Sequence, residues 1–363
     1  MLKVNILQQN KIKRLLRFGL YTTAVFAVIF YITTNTIFIP HIISSFVYGV
    51  LLGVLEEISN HRRILALSLP LQFLFKIVGI LLVFTLFSGA LIFTISSLTE
   101  IHVPDLIKQM QSRQLASPII SALAVAFVIS TIFQIERLVG RNLLRNYLKG
   151  RYRRPKKEIR VFLFMDLQSS TAISEKLGNH DYYSFLNDAI YQMSESIMKT
   201  QAEIYQYVGD EIVFSWPLEK GITNNNCLLL YEMIVHQLHQ KSAHFIKKYG
   251  YEPKYRAAMH AGIVIAAEIG HIKKDIVYSG DVLNATSRME SLCKELGAEV
   301  LVSKSLFNLM DKKHEIVYED LGSVSLKGKD EKVEIIKVFL TDSAYEEDRA
   351  EIEKVLKRSP AAQ

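Results

Sequence analysis

Long apolar runs fill the front of the chain, and shorter alternating ones fill the rear. LLRFGLYTTAVFAVIFYITTNTIFI (15–39) carries no charge after Arg17 and is long enough to cross a bilayer. IISSFVYGVLLGVL (42–55) reaches spanning length with its neighbours. IVGILLVFTLFSGALIFTISSL (77–98) and LASPIISALAVAFVISTIF (115–133) are the third and fourth runs. LALSLPLQFLF (65–75) either extends the third, with Lys76 snorkelling, or forms a separate interfacial piece. The pattern predicts a four-helix transmembrane domain over residues 1–136. Lys11, Lys13, Arg14 and Arg17 before the first run also fit a signal peptide, but no small-x-small cleavage site follows and further apolar runs do.

Behind residue 160 the period changes. VFLFMDL (161–167) predicts a buried strand, and SSTAISEKLG opens a helix with a stop at Gly178. DYYSFLNDAIYQMSESIMKT (181–200) has helical spacing, and AEIYQYVGDEIVFSWP (202–217) predicts a hairpin around a Gly-Asp turn. A long amphipathic helix is expected over 228–250. YRAAMHAGIVIAAEIG (255–270) predicts a strand, a bend and a second strand. A short strand, a Gly-Asp loop and a helix follow over 276–297, then a strand and helix from 298 and the last strands over 317–340. This order predicts an α+β domain around an antiparallel-rich sheet.

Charge sharpens the division. Residues 1–150 hold 14 Lys/Arg and 5 Asp/Glu, whereas residues 161–363 hold 23 and 30. The net +7 therefore belongs to the front and says little about nucleic acid, and no nucleic-acid partner is expected. Residues 137–160 hold ten basic residues and one acidic, beside a run of spanning length. That placement predicts a juxtamembrane helix (137–159) anchored on lipid headgroups, and the apolar positions Leu138, Leu143, Leu144 and Leu148 allow a short amphipathic helix. The positive-inside rule puts both termini in the cytoplasm, on a multi-pass protein of the cell inner membrane. No acidic residue lies inside the four runs, which argues against an ion path. Cys227 and Cys293 fit no metal spacing and no stable protein partner is indicated.

Asp166 and Asp210 share a setting, each beside an apolar strand run at a turn. Singly, each reads equally well as a cap or turn residue; together they offer hard oxygen ligands for divalent cations. The residues after Asp166, Ser169, Ser170 and Thr171, put backbone N–H groups at a helix start where a phosphate tail fits. Gly209 lets the hairpin turn tightly ahead of Asp210. Asn284 and Arg288 lie four apart on one helix face, and SLKGKDE presents Lys327 and Lys329 around Gly328. A polar helix surface and a solvated hairpin tip are the plain alternatives.

In this order the motifs resemble the catalytic domain of the class III nucleotidyl cyclases, over about residues 160–340. FMDLQSST and YVGDEIVFSW look like the two metal motifs, which makes Asp166 and Asp210 the metal ligands. HAG (260–262) is similar to the family's strand end. SGDVLNATSRM resembles the transition-state motif, implying that Asn284 orients the ribose and Arg288 holds the reacting phosphate. LKGKDEK resembles the motif with the phosphate-neutralising lysine, either Lys327 or Lys329. The resemblance implies a ferredoxin-like cyclase fold over 160–341 with a charged tail over 342–363. It also implies a homodimer with shared active sites, and two Mg²⁺ or Mn²⁺ per site. The implied activity is conversion of a nucleoside triphosphate, ATP first, to its 3′,5′-cyclic monophosphate and pyrophosphate. Two positions depart from the family. The base-reading lysine is replaced by Gln206, and its polar partner by Val277. Both departures touch base choice, which leaves GTP, a pyrimidine nucleotide or a catalytically silent receptor as alternatives.

Overall fold

A computed structural model describes residues 6–34, 39–59, 61, 64, 67–99, 113–139, 141–272, 274–311, 316–325 and 332–340. The charged tail and the Lys327–Lys329 segment lie outside the described residues. The chain divides into two compact units, Met1–Arg145 and Asn146–Gln363.

The first unit holds four long helices, α1 (Ile6–Thr34), α2 (Ile39–Ser59), α3 (Leu69–Thr99) and α4 (Arg113–Val139). Phe18, Tyr48, Leu52, Ile80, Ala126 and Ile129 form their common core. Among the described residues, only two stretches are long and apolar enough to cross a membrane, Ile42–Ser59 and Leu69–Thr94. This corrects the expectation of four spans. The first turns of α1 carry Lys11, Lys13, Arg14 and Arg17, and the apolar part of α4 is the shorter Leu123–Glu136. Lys76 does not snorkel. It is 4% exposed, and its Nζ lies 2.8 Å from Glu56 Oε2. Ser130 Oγ donates to the same oxygen at 3.1 Å, so the pair joins α2, α3 and α4. Glu56 therefore sits within a candidate span, where the sequence pattern had put the apolar run's end at Leu55.

A short helix, α5 (Arg141–Leu148), precedes the second unit's sheet. In chain order the sheet unit runs β1 (Lys156–Leu167), α6 (Ser170–Lys199), β2 (Glu203–Val208), β3 (Glu211–Pro217), α7 (Leu218–Ile222), α8 (Asn226–Gln240), α9 (Ser242–Tyr249) and β4 (Tyr255–Ile269). It continues with β5 (Asp275–Ser279), α10 (Asp281–Glu295), β6 (Val300–Ser303), α11 (Lys304–Phe307), β7 (Val317–Ser325) and β8 (Lys332–Phe339). The strand order is β2-β3-β1-β4-β6-β8-β7, with β5 paired to β4 off this path. Among the described residues only β4 and β6 pair in parallel. β1 is central and covered on both faces, so VFLFM is continuously apolar rather than alternating. Val161, Leu163 and Met165 pack with Phe185, Met193, Leu230 and Ile234 from α6 and α8. On the opposite face Ala258 packs with Ala285, Met289 and Cys293 of α10.

Three local expectations change. Residues 255–269 form one long strand, because β1 pairs along it without interruption from Leu167↔Tyr255 to Lys156↔Ala266. The expected helix over 228–250 is broken at Lys241 into α8 and α9. Gly178 does not end a helix but breaks α6 internally, with φ 73° and ψ 163°.

Candidate active site

Asp166 is the penultimate residue of β1, and Asp210 sits in the β2–β3 turn. The β1–β3 pairing runs from Arg160↔Pro217 to Met165↔Ile212, which brings the Asp166 end of β1 beside the start of β3. The two carboxyls are within hydrogen-bond reach of each other. Burial, then the Asp210 charge, raises Asp166 to about 6. Gly209 turns the hairpin with φ 65°, a region costly for a side chain with a Cβ.

Three residues join this site that the sequence reading did not single out. Burial, then Asp166 and Asp210, raises Glu211 to about 7. Glu290, 8% exposed on α10, is raised to about 7 by burial first and Asp166 second. Arg256 is the cross-strand neighbour of Asp166 on β4, and its charge lowers both Asp166 and Glu290 against those effects. Its Nε is buried and has no hydrogen-bond partner. Glu211 directly follows the turn aspartate and Glu290 lies two residues beyond Arg288, so adjacency was the available signal. Nothing local in the sequence aligns Arg256 with Asp166, since that needs the β1–β4 register.

The loop after β1 is held by Gln168, whose N–H donates to Lys254 O at 2.8 Å and whose Nε2 donates to Tyr255 O at 3.2 Å. Ser169 takes a left-handed conformation, φ 59°, and makes no side-chain cap. Ser170 then opens α6 and bonds the Tyr182 hydroxyl, which the charges of Asp210 and Asp166 also reach. Thr171 is exposed in the first turn.

On α10, Asn284 is exposed and Arg288 half-buried, with Nη1 buried and without a hydrogen-bond partner. Neither makes a hydrogen bond or ion pair with Asp166 or Asp210 among the described residues. Gly280 precedes α10 closely packed on β4. A Cβ there would stand 2.6 Å from the Ile263 carbonyl oxygen. Gln206 is exposed on β2 and Val277 half-buried on β5. Lys327 and Lys329 lie outside the described residues. His260 Nδ1 lies 2.7 Å from Ser303 Oγ, a side-chain link between β4 and β6.

Among the described residues no group of three or more His, Cys, Asp or Glu has metal-site geometry. Two hard carboxylates side by side, one of them raised by burial and then by the other's charge, fit divalent cations that complete their shell with phosphate oxygens and water. Paired carboxylates thus stand at one rim of a mixed sheet, and α10 carries a buried guanidinium nitrogen without a hydrogen-bond partner.

Residues 152–341 match the family described as the adenylate and guanylate cyclase catalytic domain, and the chain belongs to that family. Its catalytic domain is homologous to those phosphorus-oxygen lyases. It is 35% identical over 246 residues to adenylate cyclase 2 of Rhizobium meliloti, covering 68% of this chain and 67% of that one. It is 27% identical over 186 residues to an adenylate cyclase of Anabaena cylindrica, covering 49% of this chain and 36% of that one. The solved structure of a bacterial light-regulated adenylyl cyclase shares the fold, with TM-score 0.51 and 17% identity over 65% of this chain and 68% of that one.

Proposed function

We propose that this chain is a membrane-anchored cyclase, converting a nucleoside triphosphate, ATP first, to its 3′,5′-cyclic monophosphate for intracellular signalling. The observation that carries the reading is the Asp166–Asp210 pair at the rim of a family-matched sheet. The choice of ATP is supported by the relatives named adenylate cyclase. The membrane anchor is supported by the two apolar helices and the basic residues ahead of β1. The match to the Rhizobium protein is longer than the 152–363 stretch, so it takes in residues ahead of the catalytic domain too.

Asp166 and Asp210 would hold two Mg²⁺ or Mn²⁺. When bound, these supply a more acidic ribose 3′-hydroxyl and neutralise the leaving pyrophosphate. The backbone N–H groups at Ser169, Ser170 and Thr171 face the phosphate tail. Arg288 carries a buried nitrogen without a partner, suited to charge that grows on the α-phosphate as the 3′-oxygen bonds to phosphorus and pyrophosphate departs. Asn284, one turn earlier, orients the ribose. Lys327 or Lys329 adds charge to the leaving group. One matched catalytic domain over residues 152–341 supports a homodimer whose sites each take the aspartates from one copy and α10 from the other. Gln206 and Val277 face the base.

The test is the full-length protein with Mn²⁺ and each of the four NTPs, products separated by mass. Cyclic AMP as the main product supports the reading. No cyclic product from any nucleotide removes it in favour of a silent receptor.

A further inference from the structure

β2 and β5 are separated in the sheet by β3, β1 and β4, yet they touch. The Tyr205 hydroxyl accepts a hydrogen bond from the Tyr278 backbone N–H at 3.3 Å. Their rings lie 5.1 Å apart, and Phe162 of β1 packs edge-on against both, at 6.3 and 5.8 Å. Tyr205 reaches this far because β2 bulges there. Ile204 pairs with Phe214 and Gln206 with Val213, so Tyr205 has no partner on β3. The platform is braced from below. The Arg160 guanidinium, 2% exposed, lies 4.5 Å from the Tyr278 ring centroid. It also binds Glu203 of β2 and, at 3.0 Å, Ser215 of β3.

The two linked tyrosines are the immediate chain neighbours of Gln206 and Val277. Gln206 offers both a donor and an acceptor, and Val277 offers no polar group. Such a pair has no complementary polar code for one purine over another. Discrimination must then come from the width between β2 and β5 and from their backbone groups, and that works only if the width is fixed.

We propose that Tyr205 is a positioning residue for base selection, its hydroxyl holding β5 at a set distance from β2 and so fixing the opening between Gln206 and Val277. This rests on the cyclase reading and deepens it. A purely structural aromatic cluster would need the rings but not the hydroxyl.

The experiment uses full-length protein with Mn²⁺. It compares kcat and KM for ATP and GTP in the wild type, Tyr205→Phe and Arg160→Lys, with melting temperatures alongside. Tyr205→Phe keeps every ring contact and removes only the tether. The ATP-to-GTP ratio of kcat/KM should move toward one by roughly three- to tenfold, the worth of one hydrogen bond. The loss should appear in KM rather than kcat, with little change in melting temperature. Arg160→Lys keeps the charge but loses the planar stack, and should shift the ratio the same way by less. An unchanged ratio in both variants, or a wild type that does not distinguish the two nucleotides, overturns the proposal. A wild type with no cyclic product from any of the four NTPs is a failure of the cyclase reading itself, and removes the clamp with it.

Discussion

Asp166 and Arg256 stand directly opposite one another across β1 and β4, setting one cation beside a cluster that also includes Asp210, Glu211 and Glu290. Arg256 pulls the Asp166 carboxyl down while burial and Asp210 push it up. Arg256→Met should therefore raise Asp166 further. The acid limb of the Mn²⁺-dependent pH–rate profile should move to higher pH, and more Mn²⁺ should be needed at pH 7. A profile that coincides with the wild type would show that Arg256 has no electrical role at the site.

The same charges set the stability of the metal-free protein. Asp166 is raised to about 6, and Glu211 and Glu290 to about 7, all above the ordinary carboxylate range. The folded state therefore holds protons that the unfolded state has released. Their contribution is present below about pH 4 and is lost as pH rises through about 6 to 7. In chelator the melting temperature should fall between those limits. Divalent metal binds the ionised carboxylates, so Mn²⁺ should raise the melting temperature more at pH 7.5 than at pH 5.5. Thermal melts across this range with and without Mn²⁺ make the check.

Asp166→Asn, Asp210→Asn and Arg288→Ala should each lose nearly all turnover while keeping the fold. When Asp210→Asn and Arg288→Ala chains are mixed, a mixed dimer holds one intact site and one doubly defective site. With random pairing and independent sites, activity should recover to about a quarter of wild type. Differentially tagged chains, purified as mixed dimers that show no recovery, would count against shared sites.

Gly280 and Gly209 resist substitution for different reasons. At Gly280 a Cβ meets the Ile263 carbonyl oxygen at 2.6 Å, so Gly280→Ala must push α10 off β4. It should cost about 1–3 kcal/mol and lower kcat by displacing Asn284 and Arg288. At Gly209 nothing lies within 4 Å, and the penalty is the φ of 65° alone. Gly209→Ala should cost only about 1 kcal/mol. Denaturant melts and kcat measured on both variants separate the two cases.

In the N-terminal unit, Lys76 and Glu56 are both 4% exposed and paired at 2.8 Å. Removing one partner, as in Glu56→Gln or Lys76→Met, strands the other charge and should cost about 3–5 kcal/mol. The double variant Glu56→Gln/Lys76→Met should be more stable than either single one. Unfolding in mild detergent reads the order of stability, and additive losses would show that the two charges are not coupled.

Much of this was legible in the chain itself. VFLFM reads as a buried strand, since five consecutive apolar residues leave no face for water. The Gly-Asp dipeptide between two strand-like runs has the shape of a hairpin turn, since glycine adopts the left-handed backbone such turns often need at little cost. Asn284 and Arg288 share a face through helical periodicity alone. These are local rules, set by backbone geometry and side-chain spacing within a few residues. The spans were less secure, because an apolar run looks the same whether it ends at Leu55 or continues through a glutamate whose charge is met by a lysine twenty residues on. The tertiary structure decided whatever depends on register between distant strands. It set Arg256 against Asp166, gathered Glu211 and Glu290 around the same carboxylates, and brought Tyr205 over to Tyr278. A sequence carries the residues of such contacts without their distances, because one slip of register turns every side chain to the other face of the sheet.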